Sequence, residues 1–334
     1  MITKPTSILA FRNGSIGNTL VAVPALRAIK RRYPDVPLSV VVDPVGFELL
    51  EHCPWIDTLI VYDKQGNDRG LSAYFRLVTR LRRLKPSHAV LFKRFFRNGL
   101  LAFLSGAKTR AGFVTDGRAS FLNCTIPYDN TISIVDLNLQ LAGLLDAKSE
   151  ARHLEIFLST DDELQADEYL KQHAITQPFW VVHYGGKTTA PNFFPREPMQ
   201  IMLDILTEAQ QPILFIGYGS HERQWAEELC RANPHWLSAT DLPLRTTVAL
   251  IKKAQAFVGF NSGPAHIAAA TATPSLVLFR PDANAEVELR KWSPVGEYSL
   301  SVIAPSVDDP ANFEQFVQSA DANLLALIHH KSAQ

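Results

Sequence analysis

The stretch FVGFNSGPAHIAAATATPSLVLF (257–279) joins two apolar runs through a polar break, Asn261-Ser262-Gly263-Pro264, with His266 one turn further on. AFVGF (256–260) and SLVLF (275–279) read as buried strands, and the alanine-rich segment between them reads as a helix packed tightly on the sheet. Asn261 or Ser262 can cap that helix by accepting its orphan N–H groups. Gly263 has no Cβ, so a ligand can approach the backbone there, and Pro264 falls in the first turn, where a missing N–H costs little. The helix N-terminus then offers N–H groups and the positive end of a dipole, which suits a phosphate. His266 leans back toward that end and could reach the same anion. On local physics alone, a well-capped helix with a satisfied histidine accounts for these residues equally well.

The same alternation extends outward. SILAF (7–11), LSVVVD (38–43), TLIVY (58–62) and HAVLF (88–92) read as strands. NTLVAVPALRAIKRRY (18–33) and LSAYFRLVTRLRRL (71–84) read as helices, the second with Tyr74, Phe75, Leu77, Val78, Leu81 and Leu84 on its apolar face. STDDELQADEYLKQHAITQP (159–178) reads as an acidic capped helix at a connection, after which FWVVHY (179–184) and PILFIG (212–217) restart the strand pattern. The expected fold class is α/β, with two Rossmann-like doubly wound domains facing a central cleft lined by strand carboxyl ends. The expected boundaries are 1–158 for an acceptor domain, 159–178 for a connecting helix, 179–308 for a nucleotide-sugar domain, and 309–334 for a terminal helix returning toward the first domain.

Composition fits this reading: 334 residues, 46% hydrophobic and 20% charged. No apolar stretch approaches the roughly 20 residues that span a bilayer. MITKPTSILAF lacks the layout of a signal peptide. Cys53, Cys124 and Cys230 are odd in number and far apart, which suggests free thiols in a cytoplasmic protein, without zinc spacing. Net charge is zero but uneven: residues 1–150 carry 20 Lys and Arg against 12 Asp and Glu, and the remainder 13 against 21. Either the halves face each other through opposite charge, or the first half meets an anionic partner such as a phosphorylated glycan or an acidic membrane face. No nucleic-acid partner is expected.

Other candidates follow predicted strands. In HYGGKTT (183–189), Gly185 and Gly186 allow a close ligand approach, and Lys187, Thr188 and Thr189 supply a cation and hydroxyls for phosphate oxygens, although an ordinary loop with a solvated lysine also fits. Glu222 could hydrogen-bond ribose hydroxyls or simply complement its helix dipole. Leu242 could flank a base by apolar contact. RNGSIGN (12–18) is a glycine loop opening a helix, with Gly14, Ser15 and Gly17, and lacks dinucleotide spacing. Lys93, Arg94, Arg97 and Arg118 could hold anionic groups of an acceptor or form a solvated face.

These residues together resemble glycosyltransferase family nine, the bacterial heptosyltransferases. The stretch 257–279 resembles that family's strand, acidic-or-amide, hydroxyl, glycine and histidine signature. RNGSIGNTLVAVPALRAIKRRYP (12–34), LLAFLSGAKTRAGF (100–113) and WVVHYGG (180–186) are similar to three further family segments in the same order. The resemblance implies a GT-B fold, an inverting mechanism, no metal, no cofactor beyond the nucleotide-sugar substrate, and donor binding by the C-terminal domain, to which the candidates Gly185 to Thr188, Glu222, Leu242, Asn261 to Pro264 and His266 belong. It implies peripheral contact with the inner membrane and an anionic glycan or lipid-linked acceptor.

Three positions depart from the family pattern: Asn18 stands where the family places an aspartate base, Asn192 where it places a lysine, and Asn261 where it commonly places an aspartate. An amide cannot accept the acceptor's proton. Asp43, Asp116 or His183 could serve as base instead, Asn18 could only position the acceptor, or the protein could bind a nucleotide-sugar without turnover. The expected function is metal-independent sugar transfer, heptose or a related sugar from an ADP-type donor to a lipopolysaccharide-core or other envelope glycan. A catalytically silent binder and a nucleotide-sugar epimerase are the alternatives.

Overall fold

A computed structural model describes residues 4–114, 120–185, 196–208 and 212–305, with a few more near Phe316. The chain divides into two compact units, Met1–Phe157 and Leu158–Gln334.

The first unit is built on six parallel strands: β1 Ile8–Phe11, β2 Leu38–Val42, β3 Thr58–Val61, β4 His88–Leu91, β5 Thr109–Val114 and β6 Cys124–Pro127. They lie in the order β3-β2-β1-β4-β5-β6. β1 is buried at every residue, as a central parallel strand covered on both faces must be, which is why its sequence is an unbroken apolar run. It pairs Ile8 with Leu38 on one side and with His88 on the other.

The second unit repeats this plan with β7 Trp180–His183, β8 Ile213–Gly217, β9 Trp236–Thr240, β10 Ala256–Phe260, β11 Ser275–Phe279 and β12 Ser299–Ile303. Their order is β12-β11-β10-β7-β8-β9. Its core gathers Trp180, Val182, Phe215, Val258, Phe260 and Leu276, together with Phe316. The rest of the expected terminal helix lies largely outside the described residues.

Three local readings are corrected. The helix expected over 18–33 is two, Ile16–Leu20 and Val23–Arg32. Pro24 has no N–H to offer the carbonyl of Leu20, so one ladder cannot run through. In the Gly70–Arg83 helix the buried stripe is Ala73, Leu77, Val78 and Leu81. Phe75 is 62% exposed, because a position two before Leu77 points about 200° away from it. The acidic helix spans Thr160–Gln172, short of Pro178. It carries a capping box between Ser159 and Asp162, and belongs to the second unit, where Asp162 receives Arg245 at 2.6 Å.

Candidate functional site

In both sheets the chain reverses its direction of growth between two adjacent strands, β1/β4 in the first and β7/β10 in the second. Loops leaving such a pair diverge and open a crevice at the carboxyl edge, the usual ligand position in doubly wound sheets. The motifs singled out above fall on these two reversals.

In the second unit, β10 ends at Phe260 and the Gly263–Ala270 helix begins three residues later, with Pro264 in its first turn. Asn261, Ser262, Gly263 and Pro264 are half-buried. Ser262 is the N-cap residue in an extended conformation, yet its side chain makes no capping hydrogen bond. The expected capping by Ser262 is therefore corrected. Its Oγ lies 2.9 Å from its acceptor, the Phe260 carbonyl oxygen, and 3.0 Å from Nδ1 of His183. The hydroxyl is turned back toward the sheet, which leaves the first-turn N–H groups without a side-chain acceptor.

His183, the last residue of β7, is 5% exposed. Its Nε2 lies 3.5 Å from Oε2 of Glu222. The same carboxylate oxygen accepts the Tyr218 N–H at 2.8 Å. Burial by itself raises the Glu222 carboxyl, but the His183 ring and the Tyr218 N–H outweigh it, and the pKa ends below the ordinary glutamate value. Nε2 of His183 faces the Glu222 carboxylate, and Nδ1 faces the Ser262 hydroxyl. Glu222, His183 and Ser262 thus form one chain across the β7/β10 reversal. His183 therefore stands between Glu222 and Ser262, one neighbour at each ring nitrogen.

Glu222 lies directly over Gly185. A Cβ built on Gly185 would collide with the carboxylate, so the glycine is what admits it. A shallow pocket beside them is lined by Tyr184, Gly185, Phe215, His221, Glu222 and Trp225, among others. Trp225 stacks on Tyr184 with centroids 3.4 Å apart. Neither aromatic was anticipated; Trp225 sits three residues past Glu222, one turn along the same helix face. Half-buried Leu242 belongs to the adjoining loop. Asp241 holds that loop to the Glu222 loop by accepting the Gly219 N–H at 2.7 Å. Gly186, Lys187, Thr188, Thr189 and Asn192 lie outside the described residues.

His266 is 3% exposed, and its Nδ1 has no hydrogen-bond partner among the described residues. Burial pulls its pKa down to about 4. The ring is therefore neutral at pH 7 and can offer a hydrogen bond.

In the first unit the β1/β4 reversal is organised by Arg12, which sequence reasoning passed over. It follows β1 directly and is 2% exposed. Burial lowers its pKa to about 10, against the pull of Asp43 and Tyr128. Its Nη2 donates to Asn18 Oδ1 at 2.8 Å, its Nε to the Asn18 carbonyl, and its Nη1 to the Phe92 carbonyl after β4. Asn18 Nδ2 donates to Ser15 Oγ at 2.8 Å. Gly14 has φ +153°, a conformation that favours glycine, and its N–H reaches Asp43 Oδ2 at 2.6 Å. The other oxygen of Asp43 caps the Pro44–Leu50 helix at the Gly46 N–H. Both oxygens accept a backbone N–H, so Asp43 fastens the loop to this helix.

Lys93 stands at the same loop: a Cβ on Gly14 would lie 3.2 Å from its Nζ. Arg94 covers the Tyr128 ring at 3.6 Å and Arg97 the Tyr74 ring at 5.8 Å. Gly17 is buried. Asp116 and Arg118 lie outside the described residues.

Two doubly wound parallel units, each with loops gathered at its reversal, are the GT-B architecture. The profile of glycosyltransferase family 9 (heptosyltransferase) matches residues 74–304. The lipopolysaccharide core heptosyltransferase OpsX of Haemophilus influenzae is 24% identical over 287 residues, 82% of this chain and 79% of that one. Among solved structures, a family 9 glycosyltransferase from Veillonella parvula aligns with a TM-score of 0.80 at 18% identity, covering 96% of this chain and 97% of that one. The ADP-heptose lps heptosyltransferase II of E. coli aligns with a TM-score of 0.77 at 17% identity, covering 98% and 99%. The chain belongs to glycosyltransferase family 9, and it is a glycosyltransferase.

Proposed function

We propose that the chain transfers heptose or a related sugar from a nucleoside-diphosphate donor, with ADP the expected nucleotide, to a lipopolysaccharide-core or other cell-envelope glycan, with inversion and without a metal. The observation that carries this reading is the N-terminus of the Gly263–Ala270 helix at the β7/β10 reversal, which the Ser262 side chain leaves uncapped. A diphosphate there meets uncapped N–H groups and the positive helix end, which stabilise the charge that develops as the donor bond breaks. His266 adds a hydrogen bond in its neutral form. The Glu222 carboxylate is suited to ribose hydroxyls, and the apolar Leu242 to the base. The nucleotide names of relatives such as the E. coli enzyme support the ADP assignment.

On the acceptor side, Asn18 positions the β1 loop through Arg12 and Ser15. The acceptor proton then passes to solvent water or to a phosphate carried by the acceptor. Purified protein is expected to release ADP from an ADP-sugar when acceptor glycan is added in the presence of EDTA. Turnover abolished by EDTA and restored by manganese would overturn the metal-independent reading.

The engagement of both ends of the Asn18 amide favours a second reading, a nucleotide-sugar binder without turnover. Donor binding without release of nucleoside diphosphate, across a panel of acceptors, would select it.

A further inference from the structure

Ser262 stands where a helix cap belongs, and its backbone is already shaped for one. Its φ of −155° and ψ of 179° are the extended conformation of an N-cap residue. Pro264, the second residue of the Gly263–Ala270 helix, has no N–H, so the Ala265 N–H is the one a serine cap can take. Only a rotation about the Ser262 Cα–Cβ bond separates the observed hydroxyl from that place. The hydroxyl is instead held at the end of β10, 2.9 Å from the Phe260 carbonyl oxygen and 3.0 Å from Nδ1 of His183. Strand register brings the ring there, because His183 on β7 pairs with Gly259 on β10, three residues before Ser262. Burial and the Glu222 carboxylate at Nε2 keep the ring from turning away. In the first turn of the same helix, His266 is buried with Nδ1 lacking a partner among the described residues, a second sign that this end is built for a ligand.

We infer that His183 is a positioning residue of the donor site, one that keeps the Ser262 hydroxyl off the end of this helix. A serine cap and a diphosphate compete for the same helix end, since each satisfies first-turn N–H groups. With the ring in place, the hydroxyl stays on the strand side and the helix end is left to the anion. Without the ring, Ser262 caps its own helix and an incoming anion must displace it. His183 thus acts on the diphosphate through Ser262. The inference deepens the donor reading given above and rests on it.

The test is isothermal titration of the full chain with ADP and with inorganic pyrophosphate, which has no ribose and so takes the Glu222 carboxylate out of the comparison. His183→Leu is close in volume to the imidazole and has no polar atom. It is expected to bind pyrophosphate about fivefold more weakly, the strength of one serine cap. Ser262→Ala added to His183→Leu removes the competing hydroxyl and is expected to recover that loss. His183→Asn, whose amide ends where Nδ1 lies, is expected to bind as wild type does. Thermal melting establishes that each variant is folded, and His183→Ala replaces His183→Leu should the larger side chain not pack. A purely structural role for His183 would give a loss that Ser262→Ala cannot undo, so an unrecovered loss overturns the inference. So does pyrophosphate affinity unchanged in His183→Leu, or a His183→Asn variant as weak as His183→Leu. Wild type that binds ADP and not pyrophosphate also overturns it, because the helix end would then have no grip on the anion. Wild type that binds neither ligand overturns the donor reading itself, and the role of His183 falls with it.

Discussion

The Arg12 guanidinium holds Asn18 by two hydrogen bonds, one to the side-chain oxygen at 2.8 Å and one to the backbone carbonyl. Because the Asn18 amide nitrogen is spent on Ser15, this residue is the bracket that closes the β1 loop around a buried cation. One amide hydrogen and one oxygen lone pair remain for an acceptor.

Asn18→Asp would keep the bond to Arg12 and add a carboxylate where the loop faces the β1/β4 crevice. Arg12 favours the ionised form, so the new group would be a base at neutral pH. This variant is expected to raise kcat about a hundredfold, the usual contribution of a positioned base. Steady-state release of nucleoside diphosphate reads this directly, and an unchanged rate would put the base elsewhere. Asn18→Ala leaves Arg12 short of an acceptor in a nearly water-free position and should lower unfolding stability by about 2 kcal/mol in urea titration.

On the donor side, the dependence of Glu222 on Gly185 makes a coupled prediction. Gly185→Ala places a methyl where the carboxylate lies, so Glu222 must swing away from His183 and Tyr218. Gly185→Ala and Glu222→Ala should each weaken ADP binding about tenfold, the scale of one charged hydrogen bond. The double variant should be little worse than either, because both remove the same group from the same place. Isothermal titration of the three variants decides it; additive losses would show that Glu222 does not act through its seat over Gly185.

The burial of His266 gives a pH dependence with a definite sign. Its folded pKa of about 4 lies below the ordinary 6.5. Between those values the unfolded chain takes up a proton that the folded chain refuses. The native state therefore loses stability as pH falls from 6.5 toward 4, by about 3 kcal/mol in all, and this contribution is flat above that window. His266→Gln should flatten the acid limb of the stability curve. A diphosphate bound beside the ring would favour the protonated form, so ADP affinity should rise from about pH 7.5 to about pH 5.5 in wild type and less in the variant.

The central strands were legible because they are buried on both faces and therefore read as uninterrupted apolar runs; SILAF and AFVGF needed no context. Peripheral strands, apart from the edge strand TLIVY, were not. β5, TRAGFV, and β12, SLSVI, are only partly buried, and their mixed composition gives no period to follow. The donor corner was visible as residue types, but its wiring was not. Ser262 looked like a cap, and it instead faces His183, a residue 79 positions away that only the adjacency of β7 and β10 brings near. Arg12 was overlooked because an arginine after a strand ordinarily means a solvated loop, and its burial depends on Asn18, Phe92 and Asp43 converging from three separate segments.

The second unit also carries an ion pair whose loss should be felt in stability and not in ligand contacts. Arg245 grips Asp162 through both Nε and Nη2, at 2.8 and 2.6 Å. The same carboxylate accepts the Ser159 N–H at 2.7 Å, completing the capping box of the Thr160–Gln172 helix. Arg245 and its hydrogen bonds hold the Asp162 carboxyl well below the usual aspartate range. Because the folded pKa is depressed, this stabilisation is fully present above the unfolded value near about 3.9 and is lost as pH falls through the window beneath it. Asp162→Ala removes the cap and the carboxylate that Arg245 grips at 12% exposure. The expected loss is about 3 kcal/mol in urea unfolding at about pH 7, with ADP affinity at native conditions unchanged. Asp162→Asn should keep part of the cap, lose less, and show a shallower decline below about pH 4. A variant as stable as wild type would mean that apolar packing between this helix and Leu244–Lys253 suffices without the charges.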